Sequence, residues 1–241
     1  MSNQFNEDVR IDGELYRQDP DTVENLNERH VPCIIMLDVS GSMCDNNAID
    51  LLNEGIKSFK EQTLAYDARK STIIDVSVVS FGGNGVQLVQ NFKPIRDMST
   101  PILSANGGTP LGEAIDFSLR LMRERKNLYR QKKCNDLRGW IFCITDGMPT
   151  DDSSIWSSAV QDLHTAVNER SVIALCTAVG EFQTDKMIEM FGEKSCLRLA
   201  GLDFTDYFQF VSNSIGKISD SARIGTDKVG IDETPKTRFF D

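Results

Sequence analysis

The chain has 241 residues, 40% of them hydrophobic and 26% charged, with a formal net charge of -10. That length and balance describe one soluble, globular domain with some length to spare at its ends. The acidic charge disfavours nucleic acid and anionic lipid as partners, and no run of about 18 apolar residues exists to span a bilayer.

The first stretch, MSNQFNEDVRIDGELYRQ, is polar and lacks the basic and apolar regions of a secretion signal. Residues 1–30 read as an arm, in which Val9, Ile11 and Leu15 offer one short strand. VPCIIML (31–37) is continuously apolar, as a strand buried on both faces must be. From Asn47 to about Ala65, apolar residues recur at helical spacing. Strands follow at 73–81 and 86–92, joined by a hairpin-type connection at Gly82–Gly85. A helix opens after Gly107-Gly108-Thr109-Pro110, with Thr109 and Pro110 as a cap and first-turn pair.

WIFCIT (140–145) is a further buried strand, followed by a helix at 153–169 and a strand at 172–180. A short helix at 184–192, an edge strand at 196–199 and a closing helix at 205–218 complete the pattern. Residues 219–241 are charged and aperiodic and are expected to form a flexible tail. Apolar strands alternating with helices imply a mostly parallel sheet covered on both faces.

Six cysteines (33, 44, 134, 143, 176 and 196) form no C-x-x-C pair, and only His30 and His164 could join them. Neither a zinc site nor disulfides are expected. Reduced thiols without an export signal suggest a cytoplasmic protein.

Ligands of open parallel sheets bind beyond the carboxyl ends of the strands. Three polar clusters lie at such places: Asp38-Val39-Ser40-Gly41-Ser42, Gly107-Gly108-Thr109-Pro110 and Asp146-Gly147. Asp38, Ser40, Ser42, Thr109 and Asp146 together supply five oxygen donors and no nitrogen or sulfur. Such hard donors suit Mg²⁺, with Mn²⁺ or Ca²⁺ as alternatives. Mg²⁺ takes six oxygens, so a coordination position is left for an incoming carboxylate.

Asp-x-Ser-x-Ser (38–42), the Thr of Gly-Gly-Thr-Pro (109) and Thr-Asp-Gly (145–147) resemble the metal-ion-dependent adhesion site of von Willebrand factor A (vWA) domains. The resemblance covers about residues 31–218. The strings CIIMLDVSGSM, GGTPLGEAI, WIFCITDGMPTDD and GLDFTDYFQFVSNSI are most similar to the bacterial TerY/YegL-like branch. The resemblance implies a Rossmann-like α/β fold with one antiparallel edge strand. It implies a metal at the five donors and a partner protein that presents an Asp or Glu to it. Members of that branch are often encoded beside protein kinase and PP2C-type phosphatase domains. That suggests a scaffold in phospho-signalling or in a stress response of the tellurite-resistance type. Arm and tail match no motif of the family.

Other polar residues have plainer readings. Asp45, Asp151 and Asp152 read as solvated carboxylates or helix caps, with the outer shell of the site or the partner surface as the alternative, and Asp116 as solvated. His30 falls in the arm and His164 on a helix surface. Arg123-Glu124-Arg125-Lys126 through Lys133 reads as a solvated helix end favoured by the dipole. An enzyme is not expected. A metal-dependent phosphohydrolase of the aspartyl-phosphate type needs a carboxylate two residues after its nucleophile, and position 40 is Ser. No phosphate loop and no nucleophile elbow is present.

Overall fold

The run VPCIIML lies in the middle of a sheet and is buried on both faces, as its lack of alternation requires. The computed structural model describes residues 9–11, 14–16, 18–67, 72–146, 148–180, 182–224 and 237–239. The strands are β1 (Val9–Ile11), β2 (Glu14–Tyr16), β3 (Arg29–Asp38), β4 (Thr72–Gly82) and β5 (Gly85–Pro94), then β6 (Asn135–Asp136), β7 (Gly139–Thr145), β8 (Val172–Val179), β9 (Cys196–Leu199) and β10 (Thr237–Phe239). The helices are α1 (Ala48–Asp67), α2 (Leu111–Lys132), α3 (Ser153–Asn168), α4 (Thr184–Phe191) and α5 (Phe204–Ile224).

The sheet order is β10-β9-β8-β7-β3-β4-β5, with the short β6 also paired to β3. β4, β3, β7, β8 and β9 run parallel. β5 returns antiparallel beside β4 through the expected hairpin and forms one edge. This is the Rossmann-like α/β arrangement anticipated from the sequence. β10 adds a second antiparallel strand at the other edge, and α5 runs past residue 218 to Ile224. In the arm, β1 and β2 pair with each other as a hairpin.

Each central strand feeds two cores. Cys33, Ile35 and Leu37 of β3 pack into the core shared with α1 and α5; Ile34 and Met36 pack into the core shared with α2, α3 and α4. β7 divides likewise, with Trp140, Phe142 and Ile144 on the first face and Ile141 and Cys143 on the second. α1 and α5 approach closely at Gly55, where a Cβ would stand 2.6 Å from the Phe208 ring. Cys33, Cys143 and Cys176 are buried free thiols, the small-hydrophobe role expected of them. Among the described residues, no helix is long and apolar enough to cross a membrane.

Two readings are corrected by the packing. His30 is not in the arm but wholly buried at the start of β3, its Nδ1 2.7 Å from Asp75 Oδ2. Arg125 is not part of a solvated helix end. It is wholly buried, with its guanidinium 3.3 Å from Asp75 Oδ1 and donating to Thr22 Oγ1 at 2.7 Å. Tyr129 also donates to Asp75 and, with Phe92, flanks the guanidinium with its ring. Asp75 is the missing term. It sits in an apolar strand, and its carboxyl group gives both the His30 ring and the Arg125 guanidinium a polar partner in the interior.

Candidate metal centre

Asp38 is the last residue of β3, and its backbone direction is fixed by pairing with Phe81 of β4. Its carboxylate is wholly buried and held at both oxygens. Oδ1 accepts from the Ser40 amide at 2.8 Å, and Oδ2 accepts from the Thr145 hydroxyl at 2.5 Å. After Ser40 the chain enters the 3₁₀ turn Gly41–Asn47, which carries Ser42. The Ser40 and Ser42 hydroxyls lie 3.1 Å apart. Both converge on Asp146 Oδ1, Ser42 at 2.8 Å and Ser40 at 3.4 Å. Asp146 reaches them because β7 runs parallel to β3 and ends one residue before it.

Thr109 arrives by a separate route. Its loop is laced to the turn after β3: the Asn106 amide donates to Val39 O at 2.9 Å and the Gly41 amide to Gly107 O at 2.8 Å. Gly107 has φ +64°, and a Cβ there would come within 2.2 Å of Gly83 Cα, so only glycine permits the crossing. Thr109 is buried. Its amide donates to Thr150 Oγ1 at 2.9 Å, and its carbonyl accepts from the Thr150 amide at 3.0 Å. Its hydroxyl makes no hydrogen bond to the other four side chains.

Thr109 is not the helix cap expected of it. Pro110 occupies the cap position, and the Gly112 and Glu113 amides donate to Asp151, each at 3.0 Å. The capping load is thus carried by Asp151, a residue of the β7–α3 loop. Asp152 stands at the cap position of α3 without a side-chain bond. Asp116 pairs with Arg120 at 2.8 Å, and His164 is exposed on α3 as expected.

The structure therefore links Asp38, Ser40, Ser42 and Asp146 directly or through one hydroxyl, and brings Thr109 to the same crevice by backbone lacing. Three supporting residues have roles the sequence did not give: Thr145 entered only as part of a motif, Asp151 only as a solvated carboxylate or cap, and Thr150 only within a string. Thr145 orients Asp38, Thr150 holds Thr109, and Asp151 fixes α2 beside them. All three lie in the string ITDGMPTDD, but their partners are distant in the chain, and no local spacing reveals them.

Electrostatically the cluster is short of positive charge. Among the described residues no Lys or Arg pairs with Asp38 or Asp146. Burial pushes the Asp38 carboxyl up to about 6, against the lowering hydrogen bonds from Ser40 and Thr145, with a smaller push from Asp146. Burial likewise raises Asp146, partly offset by Ser42. A buried carboxylate without a counter-charge is costly. A divalent cation fits this donor set: two carboxylates and three hydroxyls, all hard oxygens. Among the described residues no group of three or more His, Cys, Asp or Glu side chains is placed to hold a metal, so any centre here depends on the hydroxyls too.

No protein-family profile and no curated protein matches the sequence. Solved structures do match. The pilus adhesin SpaC of Lactobacillus rhamnosus GG aligns with a TM-score of 0.60 at 14% identity, over 80% of this chain and 31% of SpaC. A mutant PilB minor pilin of Streptococcus sanguinis aligns at 0.55 and 12% identity, over 88% of this chain and 66% of PilB. Proximal thread matrix protein 1 of the mussel byssus aligns at 0.52 and 15% identity, over 80% of this chain and 46% of that one. The common ground is the fold. It is a Rossmann-like α/β fold, and this chain spans less than half the length of SpaC and of the byssus protein.

Proposed function

We propose that the chain is a metal-dependent protein-binding module. Asp38, Ser40, Ser42, Thr109 and Asp146 hold one divalent cation, Mg²⁺ in preference to Mn²⁺ or Ca²⁺, directly or through water. The observation that carries this reading is the convergence of Ser40, Ser42 and Asp146 beside a buried Asp38 that pairs with no Lys or Arg among the described residues. The cation supplies the charge that the crevice lacks and a coordination position for a carboxylate of the partner. The chain's own part is to fix the donors. Thr145 and the Ser40 amide hold Asp38 in place, and Thr150 holds the Thr109 backbone.

The resemblance of the motifs to the TerY/YegL-like branch extends the reading. The partner is a protein presenting Asp or Glu, of the kinase or PP2C-type phosphatase kind. The setting is a cytoplasmic scaffold in phospho-signalling or a tellurite-type stress response. A phosphohydrolase is the weaker reading, since Ser40 stands where an acid/base carboxylate is needed.

The test is thermal unfolding against Mg²⁺ concentration. Binding to the folded state alone raises stability by mass action, about 2.7 kcal/mol at a hundredfold excess over Kd. Asp38→Ala should abolish that rise. An equal rise in the variant would place the cation elsewhere.

A further inference from the structure

A trough of about 570 Å³ runs beside the first turns of α2, within the size range of ligand pockets. Its apolar lining comes from three elements: Val86 of β5, Phe117 of α2, and Ile155 and Ala159 of α3. Val86, Phe117 and Ala159 are buried and form a floor, while Ile155 is half-buried and projects into the wall.

The charged lining is unequal. Asp116 and Arg120 neutralise each other across one helical turn at 2.8 Å. Glu113, exposed on the first turn, forms no ion pair among the described residues. The trough therefore carries one acid in excess, which favours a basic group.

The trough and the candidate metal centre are both tied to the start of α2. The Gly112 and Glu113 amides are held by Asp151, whose neighbour Thr150 holds Thr109. Phe117 lies about 9 Å along α2 from Leu111, six residues at 1.5 Å each. An extended peptide covers that distance in about three residues.

We propose that this trough is a second contact surface for an extended partner segment, taking an apolar side chain on the Phe117–Ala159 floor and a Lys or Arg beside Glu113. Placing both contacts on one partner rests on the metal reading above; the trough itself does not. The segment would carry its metal-seeking Asp or Glu, an apolar residue at least three positions from that acid, and a basic residue between the two.

The probe is acetyl-Asp-Gly-Lys-Leu-amide, titrated into the full chain in saturating Mg²⁺ and followed by amide NMR shifts. Versions with Glu for Lys, Gly for Leu and Asn for Asp serve as controls. The parent peptide should move the amides of Glu113, Phe117, Ile155 and Ala159 together with those of Ser40 and Ser42. Glu113→Lys should weaken it about fivefold, the size of one exposed ion pair. Ile155→Glu should remove the trough shifts and leave those at Ser40 and Ser42. Trough shifts without any movement at Ser40 and Ser42 would support the trough and remove the metal reading. Trough amides that stay still with every peptide, or respond equally to Lys and Glu, overturn the proposal whatever happens at the metal centre.

Discussion

A carboxyl group that loses water without a Lys or Arg beside it holds its proton longer, and Asp38 is in that position among the described residues. Its folded-state value of about 6 stands above the ordinary 3.8. The protonated form therefore favours the fold. That contribution is fully present below about pH 4 and is lost as pH rises through about 6, an effect on the order of 3 kcal/mol. In chelator, urea unfolding should show stability falling over this window relative to Asp38→Asn. Mg²⁺ should restore it above pH 6 and fade as a stabiliser below. Parallel pH profiles for the two proteins would count against a buried, titrating Asp38. The buried Arg125 gives a second expectation. Arg125→Met leaves Asp75 without its guanidinium and should cost about 3–5 kcal/mol, and adding Asp75→Asn should recover part of that. An additive double variant would show that the two do not interact. At this scale the meeting of Asp38, Ser40, Ser42 and Asp146 was legible, because residue type and spacing at strand ends carry it. His30 and Arg125 were not, because their burial depends on Asp75, 45 residues from His30 along the chain.

Among the elements, β3, β7 and β8 could be read directly, since strands buried on both faces lose the alternation that would make them ambiguous. The two residues of β6 are too few to show a period, and β10 lies in a charged segment whose pairing depends on β9. Helix capping was harder to read because it crossed the chain. Asp151 and Asp152 look alike in sequence, yet only Asp151 accepts from helix amides, and those belong to α2. Asp151→Ala should therefore cost about 1 kcal/mol, lowering the melting temperature by about 2–4 °C. Asp152→Ala should be near neutral. Equal losses from the two in thermal melts would remove the assigned cap.

For the whole molecule, two packed cores make the sheet a rigid frame, and the candidate centre uses only its carboxyl edge. Asp38 and Asp146 end adjacent parallel strands, and Thr109 is delivered by a loop laced between the β3 turn and the β4–β5 hairpin. Rigidity at that edge is what allows side chains from three distant segments to act as one ligand set. The sequence could name those segments but not their meeting distances, which follow from strand register. The most direct test is diffraction from crystals soaked in Mn²⁺, whose anomalous signal locates the ion without a prior choice of site. The account predicts one peak within coordination distance of Ser40, Ser42 and at least one of Asp38, Thr109 and Asp146, lost in Asp38→Ala. A peak elsewhere, or none at these side chains at saturating Mn²⁺, would contradict it.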